Sequence, residues 1–124
     1  MTETDFQSHV LGLGGVNSPG REAKFHRQNA GTFRSFDGRR IIHGAPAGAA
    51  DLTGIVRPEG TRFELELKVD AAHTDDQKKW QLRIERSGGI YLLHRYDKRR
   101  TLDDNVAAVC EAVDAAIAER RARR

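Results

Sequence analysis

The 124-residue chain lacks the features that would place it in a membrane, outside the cell or among disulfide-rich proteins. No apolar run approaches the ~18 residues that a membrane-spanning helix needs. The N-terminal Met-Thr-Glu-Thr-Asp segment lacks the basic and then apolar pattern of a secretion signal. The one cysteine, Cys110, excludes an internal disulfide and a multi-cysteine zinc site. We therefore expect a protein of the reducing cytoplasm with no membrane partner.

Motifs of several enzyme classes are also missing. The histidines show no metal-ligand spacing such as H-x3-H, and neither G-x-S-x-G nor a P-loop is present. The glycines at 12, 14 and 15 lack a preceding strand and the full G-x-G-x-x-G spacing, which disfavours a dinucleotide-binding fold. Zinc-hydrolase, serine-hydrolase and nucleotide-binding chemistry are therefore not indicated.

The composition describes one soluble domain, residues 1–124, that is large enough for a hydrophobic core. The formal net charge is only +3, but the positive residues concentrate at 39–40, 95–100 and 120–124. Such clusters suit phosphate backbones, because neutralised phosphates release their counterions. For the arginines at 120–124, a solvated face with a frayed tail explains the charge equally well.

The segment from residue 48 to residue 68 predicts two strands around a turn at Pro58-Glu59-Gly60. From 62 to 70 the residues alternate strictly, with Phe63, Leu65, Leu67 and Val69 on one face and Arg62, Glu64, Glu66, Lys68 and Asp70 on the other. Folding back at the turn brings Asp51 beside Glu66 and Lys68. Two carboxylates with a lysine form a suitable cage for a hard divalent cation.

The length of the turn decides whether this arrangement forms. A three-residue loop would place Asp51 opposite Leu67 and so on the wrong face. A two- or four-residue loop, or a bulge, would place Asp51 on the face of Glu66. Glu64 shares that face, and three roles are open for it: a group that supports the metal ligands, a partner for an arginine, or an exposed strand residue.

The rest of the chain predicts helices and short strands around this hairpin. A helix over 2–13 is capped by Thr2 or Thr4, a strand follows at 23–28, and Asp37-Gly38 signals the turn of a small hairpin. Thr74 and Gln77 form the capping box of the next helix. In that helix we expect Trp80 to pack onto the sheet.

Two further elements complete the chain. Residues 90–94 predict a short apolar strand buried in the sheet. A helix over about 102–120, capped by Thr101 or Asp103, packs on its own sheet or across a dimer and carries Cys110 in its apolar stripe. We expect an α+β fold with a mixed central β-sheet flanked by helices, in α-β-β-β-α-β order with an extra C-terminal helix.

These segments resemble a known nuclease family. Asp51, followed after a turn by Glu66-Leu67-Lys68, resembles the D…E-x-K core of the PD-(D/E)XK superfamily. The order seen in its VRR-NUC family, small nucleases of phages and repair proteins, is matched by Arg27-Gln28-Asn29-Ala30-Gly31, Asp37-Gly38-Arg39-Arg40, Gly48-Ala49-Ala50-Asp51-Leu52, Phe63 to Lys68, Gln77 and Gly88-Gly89-Ile90-Tyr91. The resemblance covers about residues 3–95 and implies a restriction-endonuclease-like core.

The resemblance implies a metal-dependent endodeoxyribonuclease that uses Mg²⁺ or Mn²⁺. The metal ligands would be Asp51, Glu66 and the backbone carbonyl of Leu67. Lys68 would orient the attacking water or neutralise the charge on the phosphate, and Gln77 would lie near the lysine or the water. A first-helix glutamate, Glu3, also approaches the metal in this family. Glu22 competes for that role, and Glu3 alternatively only favours the positive end of its helix.

DNA contacts and a dimer are implied in the same way. Arg27 and Asn29 would lie beside the site, and the basic clusters would contribute Arg39, Arg40, Lys98, Arg99 and Arg100. His43 and His73, near the site in sequence, are open to a minor substrate role. Stand-alone members of the family suggest a homodimer acting on branched or Holliday-junction DNA in a bacterial or phage-infected cell. The alternatives are an inactive nucleic-acid-binding or assembly module that keeps the fold, and an unrelated small α+β or metal-binding protein.

Overall fold

The computed structural model describes residues 1–28 and 32–123, with the backbone alone at 32–34, 42 and 43. In chain order its elements are α1 (Glu3–Leu11), β1 (Ala23–Arg27), β2 (Thr32–Arg34), β3 (Ile41–His43), β4 (Leu52–Val56), β5 (Thr61–Lys68), α2 (Asp75–Arg86), β6 (Ile90–Arg95) and α3 (Leu102–Ala122). The predicted order is confirmed for α1, β1, β4, β5, α2, β6 and α3, with the small β2–β3 hairpin inserted after β1.

The main sheet has the strand order β1-β4-β5-β6. β4 is antiparallel to both β1 and β5, whereas β6 is parallel to β5. The difference follows from the connections, because a short turn joins antiparallel strands and a helical crossover, here α2, joins parallel ones. The fold is therefore α+β, with a mixed central sheet flanked by helices, as predicted.

The apolar face of β5 forms the centre of the main core. Phe63, Leu65 and Leu67 are fully buried there, against residues of α1 and α3 that include Phe6 and Val113. The predicted alternation of β5 is thus confirmed for this face. The apolar stripe of α3 lies in the same core and includes the buried Cys110, so α3 packs on its own sheet.

The charged face of β5 is covered as well. Trp80 and Ile84 of α2 are buried with Ala49 in a second, smaller core on this side. As a result Glu64 and Glu66 are almost wholly enclosed, and the expectation that Trp80 packs onto the sheet is confirmed. A buried strand face that carries charged side chains calls for specific partners, because an unpaired buried charge is strongly unfavourable.

Threonines begin all three helices of the described ranges. The hydroxyl oxygen of Thr2 accepts the Asp5 N–H at 3.0 Å, and that of Thr101 accepts the Asp104 N–H at 3.1 Å. Thr74 forms the full capping box with Gln77. Each hydroxyl satisfies one of the free N–H groups of the first turn. Of the alternatives left by the sequence, Thr2 and Thr101 are the caps.

The prediction that residues 90–94 form a buried strand is wrong in one respect. β6 is an edge strand that pairs with β5, and its middle residues are half-buried. A short apolar run looks the same in sequence whether its strand lies at the centre or at the edge of a sheet. No helix within residues 1–28 and 32–123 is long and apolar enough to cross a membrane.

Candidate metal centre

The turn between β4 and β5 sets the position of Asp51. Val56 pairs with Thr61 and Leu52 pairs with Leu65, so the loop has the four residues 57–60. Continuing this register by one residue places Asp51 opposite Glu66. The Leu67 N–H then donates to Asp51 Oδ2 at 2.9 Å. The four-residue loop, one of the lengths that bring Asp51 to the face of Glu66, is the one that forms.

Three carboxylates converge at this end of the sheet. One oxygen each from Glu3, Asp51 and Glu66 lies within 4.8 Å of the others. Glu3 comes from the first turn of α1, Asp51 directly precedes β4, and Glu66 belongs to β5. Glu22 precedes β1 at the opposite end of the sheet, where it pairs with Arg121. Of the two glutamates, Glu3 is the one beside the site.

Glu66 is the most enclosed member of this cluster, with 1% of its surface exposed. Its Oε1 accepts from Gln77 Nε2 at 3.3 Å and lies 3.7 Å from Lys68 Nζ. Its Oε2 is buried and has no hydrogen-bond partner. Oε2 of Glu64 is also buried without a hydrogen-bond partner, but it lies 3.5 Å from Arg62 Nε. Buried polar atoms almost always have a partner, and a cation would supply one to Glu66, whose carboxylate meets those of Glu3 and Asp51.

The electrostatics of the pair agree with this interpretation. The pKa of Glu66 is raised to about 8, chiefly by burial and also by the charge of Asp51, while Lys68 opposes the shift. Burial also raises the pKa of Asp51, against the Leu67 N–H bond and the charges of Lys68 and Arg27. Without a cation the two carboxyls retain a proton between them, because two adjacent carboxylates repel each other.

The chemistry of the site fits a hard divalent cation. Mg²⁺ and Mn²⁺ prefer oxygen ligands, and three carboxylates provide them here. Protein-family models, curated proteins and solved structures contain no match to this chain. The case for a cation thus comes from the geometry of Glu3, Asp51 and Glu66 and from the unpartnered oxygen of Glu66.

Gln77 caps α2 as predicted, and its side chain also contacts the acidic cluster. Its backbone N–H donates to Thr74 Oγ1 at 3.2 Å and its Oε1 accepts the Thr74 N–H at 2.9 Å, which completes the cap of α2. Its amide nitrogen meanwhile donates to Glu66. Lys68 faces the same oxygen of Glu66, and the contact of Gln77 with the attacking water stays a prediction. The start of α2 thus holds Glu66 in place.

Close packing at Gly48 brings the residues before Asp51 against the same helix start. Gly48 has φ +83°, and a Cβ atom there would lie 2.3 Å from the Asp76 carbonyl oxygen. Glycine is required on both counts, since a side chain would be strained at this φ and would collide with α2. Gly48 therefore serves the packing of this segment against α2.

Glu64 lies two residues before Glu66 on the same face of β5 and binds residues that position the site. Its Oε1 accepts from Trp80 Nε1 at 2.7 Å and from Gln28 Nε2 at 3.0 Å, and its Oε2 lies 3.5 Å from Arg62 Nε. The Gln28 side chain also donates to the Ala50 carbonyl at 3.1 Å. Glu64 is thus both an arginine partner and a support for the segment that carries Asp51. The third alternative, an exposed strand residue, is wrong because α2 covers this face.

Two residues were predicted to contact DNA beside the site. Arg27 lies close enough for its charge to act on Asp51, and Asn29 lies outside the described residues. Arg27 donates to Gln7 Oε1 at 2.8 Å and to Ser8 Oγ at 2.6 Å. These bonds fix the guanidinium between β1 and α1. Its charge therefore acts on the site from a fixed position.

The other predicted DNA contacts lie in two exposed turns. Arg39 and Arg40 are exposed in the turn of the β2–β3 hairpin. Lys98, Arg99 and Arg100 are exposed in the turn after β6. This turn is at the site end of the sheet, because the Tyr96 N–H donates to the Lys68 carbonyl at 2.8 Å. Lys98 pairs there with Asp70, and Arg99 pairs with Asp97.

The arginines near the C-terminus have structural partners at the other end of the sheet. Arg121 binds both carboxylate oxygens of Glu59, at 2.8 and 2.9 Å, and also Glu22. Arg120 donates to the Gly88 carbonyl. These bonds tie the end of α3 to the turns beneath it. Arg120 and Arg121 therefore do not belong to a basic surface around the acidic cluster.

His73 and Tyr91 form a pair near the site, and the sequence indicated only His73. His73 Nε2 lies 3.1 Å from the Tyr91 hydroxyl. Burial lowers the pKa of His73, as does the charge of Lys68. Burial raises the pKa of Tyr91, as does the charge of Glu66. Sequence proximity singled out His73, but Tyr91 reaches the site only through the parallel pairing of β6 with β5.

Proposed function

We propose that this protein is a metal-dependent endodeoxyribonuclease that uses Mg²⁺ or Mn²⁺. The observation that carries the proposal is the buried, unpartnered Oε2 of Glu66, which lies among three converging carboxylates and beside a buried lysine. This combination suits hydrolysis of a phosphodiester, which needs a cation on the phosphate and positive charge near the oxygen atoms that gain negative charge. The resemblance of Asp51 and Glu66-Leu67-Lys68 to the PD-(D/E)XK core supports the same chemistry.

The side chains have distinct roles in this proposal. Asp51 and Glu66 hold the ion, with Glu3 and the Leu67 carbonyl as further oxygen ligands. When bound, the ion polarises the phosphate and acidifies a water molecule. Lys68 orients that water or neutralises the charge that develops on the phosphate. Its ammonium group is well suited to this because it is buried, and electrostatic stabilisation is stronger where water is excluded.

Gln77 and Glu64 act as positioning residues. Gln77 fixes the oxygen of Glu66 that faces Lys68, which leaves the other oxygen for the ion. Glu64 binds the Gln28 side chain, which also donates to the Ala50 carbonyl next to Asp51. Neither group needs to touch the substrate. Their loss would misplace the ligands, and small displacements of catalytic groups strongly reduce rates.

The charges around the site favour DNA as the substrate. Arg27 lies beside Asp51, and the exposed turn with residues 98–100 lies at the same end of the sheet. Arg39 and Arg40 are exposed in the hairpin inserted between β1 and β4. Phosphate backbones bind such basic surfaces. We further propose selectivity for branched or Holliday-junction DNA and action as a homodimer, in which two sites would match the symmetry of a junction.

The test is a cleavage assay on supercoiled plasmid, a four-way junction and a flap, with Mg²⁺, Mn²⁺ or EDTA. We expect cleavage with either metal and none with EDTA. Lys68→Ala should reduce the cleavage rate by a factor on the order of 100 to 1,000 while DNA affinity stays largely unchanged. The matched control is Lys79→Ala, which removes an exposed lysine of α2 and should cut like the wild type.

Two results would contradict the proposal. Cleavage by Lys68→Ala at the wild-type rate would remove the lysine from the mechanism. Binding without cleavage under every divalent ion would favour the alternative, an inactive nucleic-acid-binding or assembly module with the same fold.

A further inference from the structure

The chain between β1 and β4 leaves the sheet and returns to it at the acidic cluster. Arg27, the last residue of β1, pairs with Leu52, the first residue of β4. The Gln28 N–H donates to the Asp51 carbonyl at 2.9 Å. The segment from 28 to 51 is therefore closed at its base by Asp51 itself. We call the β2–β3 unit within it, residues 32–43, the site hairpin.

The site hairpin is a separate two-stranded sheet whose turn is well formed. Within the described residues, β2 pairs with β3 and with no strand of the main sheet. The Ser35 N–H donates to the Arg40 carbonyl at 2.8 Å. Asp37 Oδ1 accepts from Ser35 Oγ at 2.6 Å and from the Arg39 N–H at 3.0 Å. These bonds define the conformation of residues 35–40.

The end of the site hairpin carries exposed aromatic and positive groups. Phe36 is fully exposed, at 110% of its reference area, and Ile41 is 60% exposed. Arg39 and Arg40 are exposed between them. The nearby carboxylate, Asp37, is engaged within the turn. Unlike Lys98 and Arg99, neither Arg39 nor Arg40 forms an ion pair with an acid of the described ranges.

The exposed groups of this turn suit a nucleic acid. Phe36 is fully exposed and adds nothing to the core. Proteins that bind single-stranded nucleic acids combine the same two groups: aromatic rings on which bases stack and cations that bind the backbone. Guanidinium groups suit the second role because they bind phosphate with two N–H groups at once.

We propose that the site hairpin is a nucleic-acid wedge in which Phe36 stacks on an unpaired base while Arg39 and Arg40 bind the adjacent phosphates. The inference rests on the proposed function and adds the structural feature of DNA that the site selects. Unpaired bases of this kind occur at a flap or a branch point.

The test is equilibrium binding in EDTA, where DNA is not cut, measured by fluorescence anisotropy. Two DNAs of equal length and charge are compared, one a flap with unpaired bases and one a continuous duplex. Phe36→Ala should weaken flap binding about 5- to 100-fold and duplex binding less than about twofold. Phe36→Trp should restore flap binding, because the indole also stacks on bases.

The matched control is Leu13→Ala. Leu13 is also fully exposed, at 107%, but it follows the end of α1 that is opposite to Glu3, away from the acidic cluster. Leu13→Ala should leave the binding of both DNAs unchanged. Equal binding of the flap by the wild type, Phe36→Ala and Leu13→Ala would overturn the proposal. A loss of dimer mass in light scattering for Phe36→Ala, with unchanged DNA binding, would overturn it in favour of a contact between two copies of the chain.

Failure of the wedge and failure of the nuclease give different results. If the wild type cuts DNA in Mg²⁺ but Phe36→Ala binds flaps normally, the nuclease stands and the wedge is refuted. If flap binding depends on Phe36 but no DNA is cut in any divalent ion, the wedge stands and the nuclease is refuted. The binding assay in EDTA does not depend on catalysis, which keeps the two outcomes separate.

Discussion

Glu66→Gln should stabilise the metal-free protein at high pH and abolish its response to Mg²⁺. The pKa of Glu66 rises from 4.5 to about 8 on folding. Between these values the folded protein holds a proton that the unfolded chain has released, so raising the pH favours unfolding. The stability of the wild type is therefore highest below the unfolded pKa and falls as the pH rises through the folded pKa.

The size of the effect follows from the shift. Each pKa unit corresponds to about 1.4 kcal/mol, so the shift of Glu66 sets an upper value on the order of 4–5 kcal/mol. The proton is shared with Asp51, so part of the shift belongs to the pair and not to Glu66 alone, which lowers the expected change. We expect the wild type to lose on the order of 2–4 kcal/mol relative to Glu66→Gln between about pH 5 and pH 9.

The assay is urea unfolding in EDTA, followed by the fluorescence of Trp80, the one tryptophan of the chain. Its indole N–H donates to Glu64, so its emission reports on the interior beside the site. The matched control is Glu119→Gln, which changes a carboxylate that is 72% exposed. A free-energy difference between the wild type and Glu66→Gln that stays constant from pH 5 to pH 9 would refute the reasoning.

Adding Mg²⁺ should reverse the order of stability. The ion replaces the shared proton and neutralises the pair, so it should stabilise the wild type more at pH 9 than at pH 6, in proportion to the carboxylates that are ionised. Glu66→Gln should not respond. Equal stabilisation of both proteins by Mg²⁺ would place the ion elsewhere.

Two further predictions use matched pairs of variants. Glu3→Gln should raise the Mg²⁺ concentration needed for half-maximal thermal stabilisation at least about tenfold. Glu22→Gln should not change this concentration, because Glu22 lies at the other end of the sheet. Equal responses of the two variants would show that Glu3 does not bind the ion. Gly48→Ala should cost at least about 1 kcal/mol more in urea unfolding than Gly14→Ala. Both glycines have positive φ, but a Cβ meets other atoms only at Gly48, so equal losses would show that the contact with α2 is unimportant.

The features that the sequence predicted correctly depend on interactions between residues close together in the chain. The alternation in β5 comes from the period of two residues in a strand, and it correctly divided Leu65 and Leu67 from Glu64 and Glu66. The capping threonines were predicted because a hydroxyl next to the first turn satisfies free N–H groups. The α+β fold with a mixed sheet followed from the order of these elements. The VRR-NUC resemblance and the nuclease activity stay predictions.

The register of the central hairpin was beyond sequence reasoning. Pro58, Glu59 and Gly60 suit loops of more than one length, and a shift of one residue turns Asp51 to the opposite face. The loop in the structure has four residues, and this length places Asp51 opposite Glu66. The edge position of β6 was likewise undetermined, because an apolar run does not show how many neighbours its strand has.

The sequence by itself determined the helices, the strands and the side chains with metal-binding chemistry, because these depend on residues close together in the chain. Only the tertiary structure decided which of those side chains meet. Glu3 reaches Asp51 and Glu66 because α1 packs across the sheet, and Glu66 is left with an unpartnered oxygen because α2 closes over a charged strand face. Both results depend on the packing of distant segments, for which no local pattern exists.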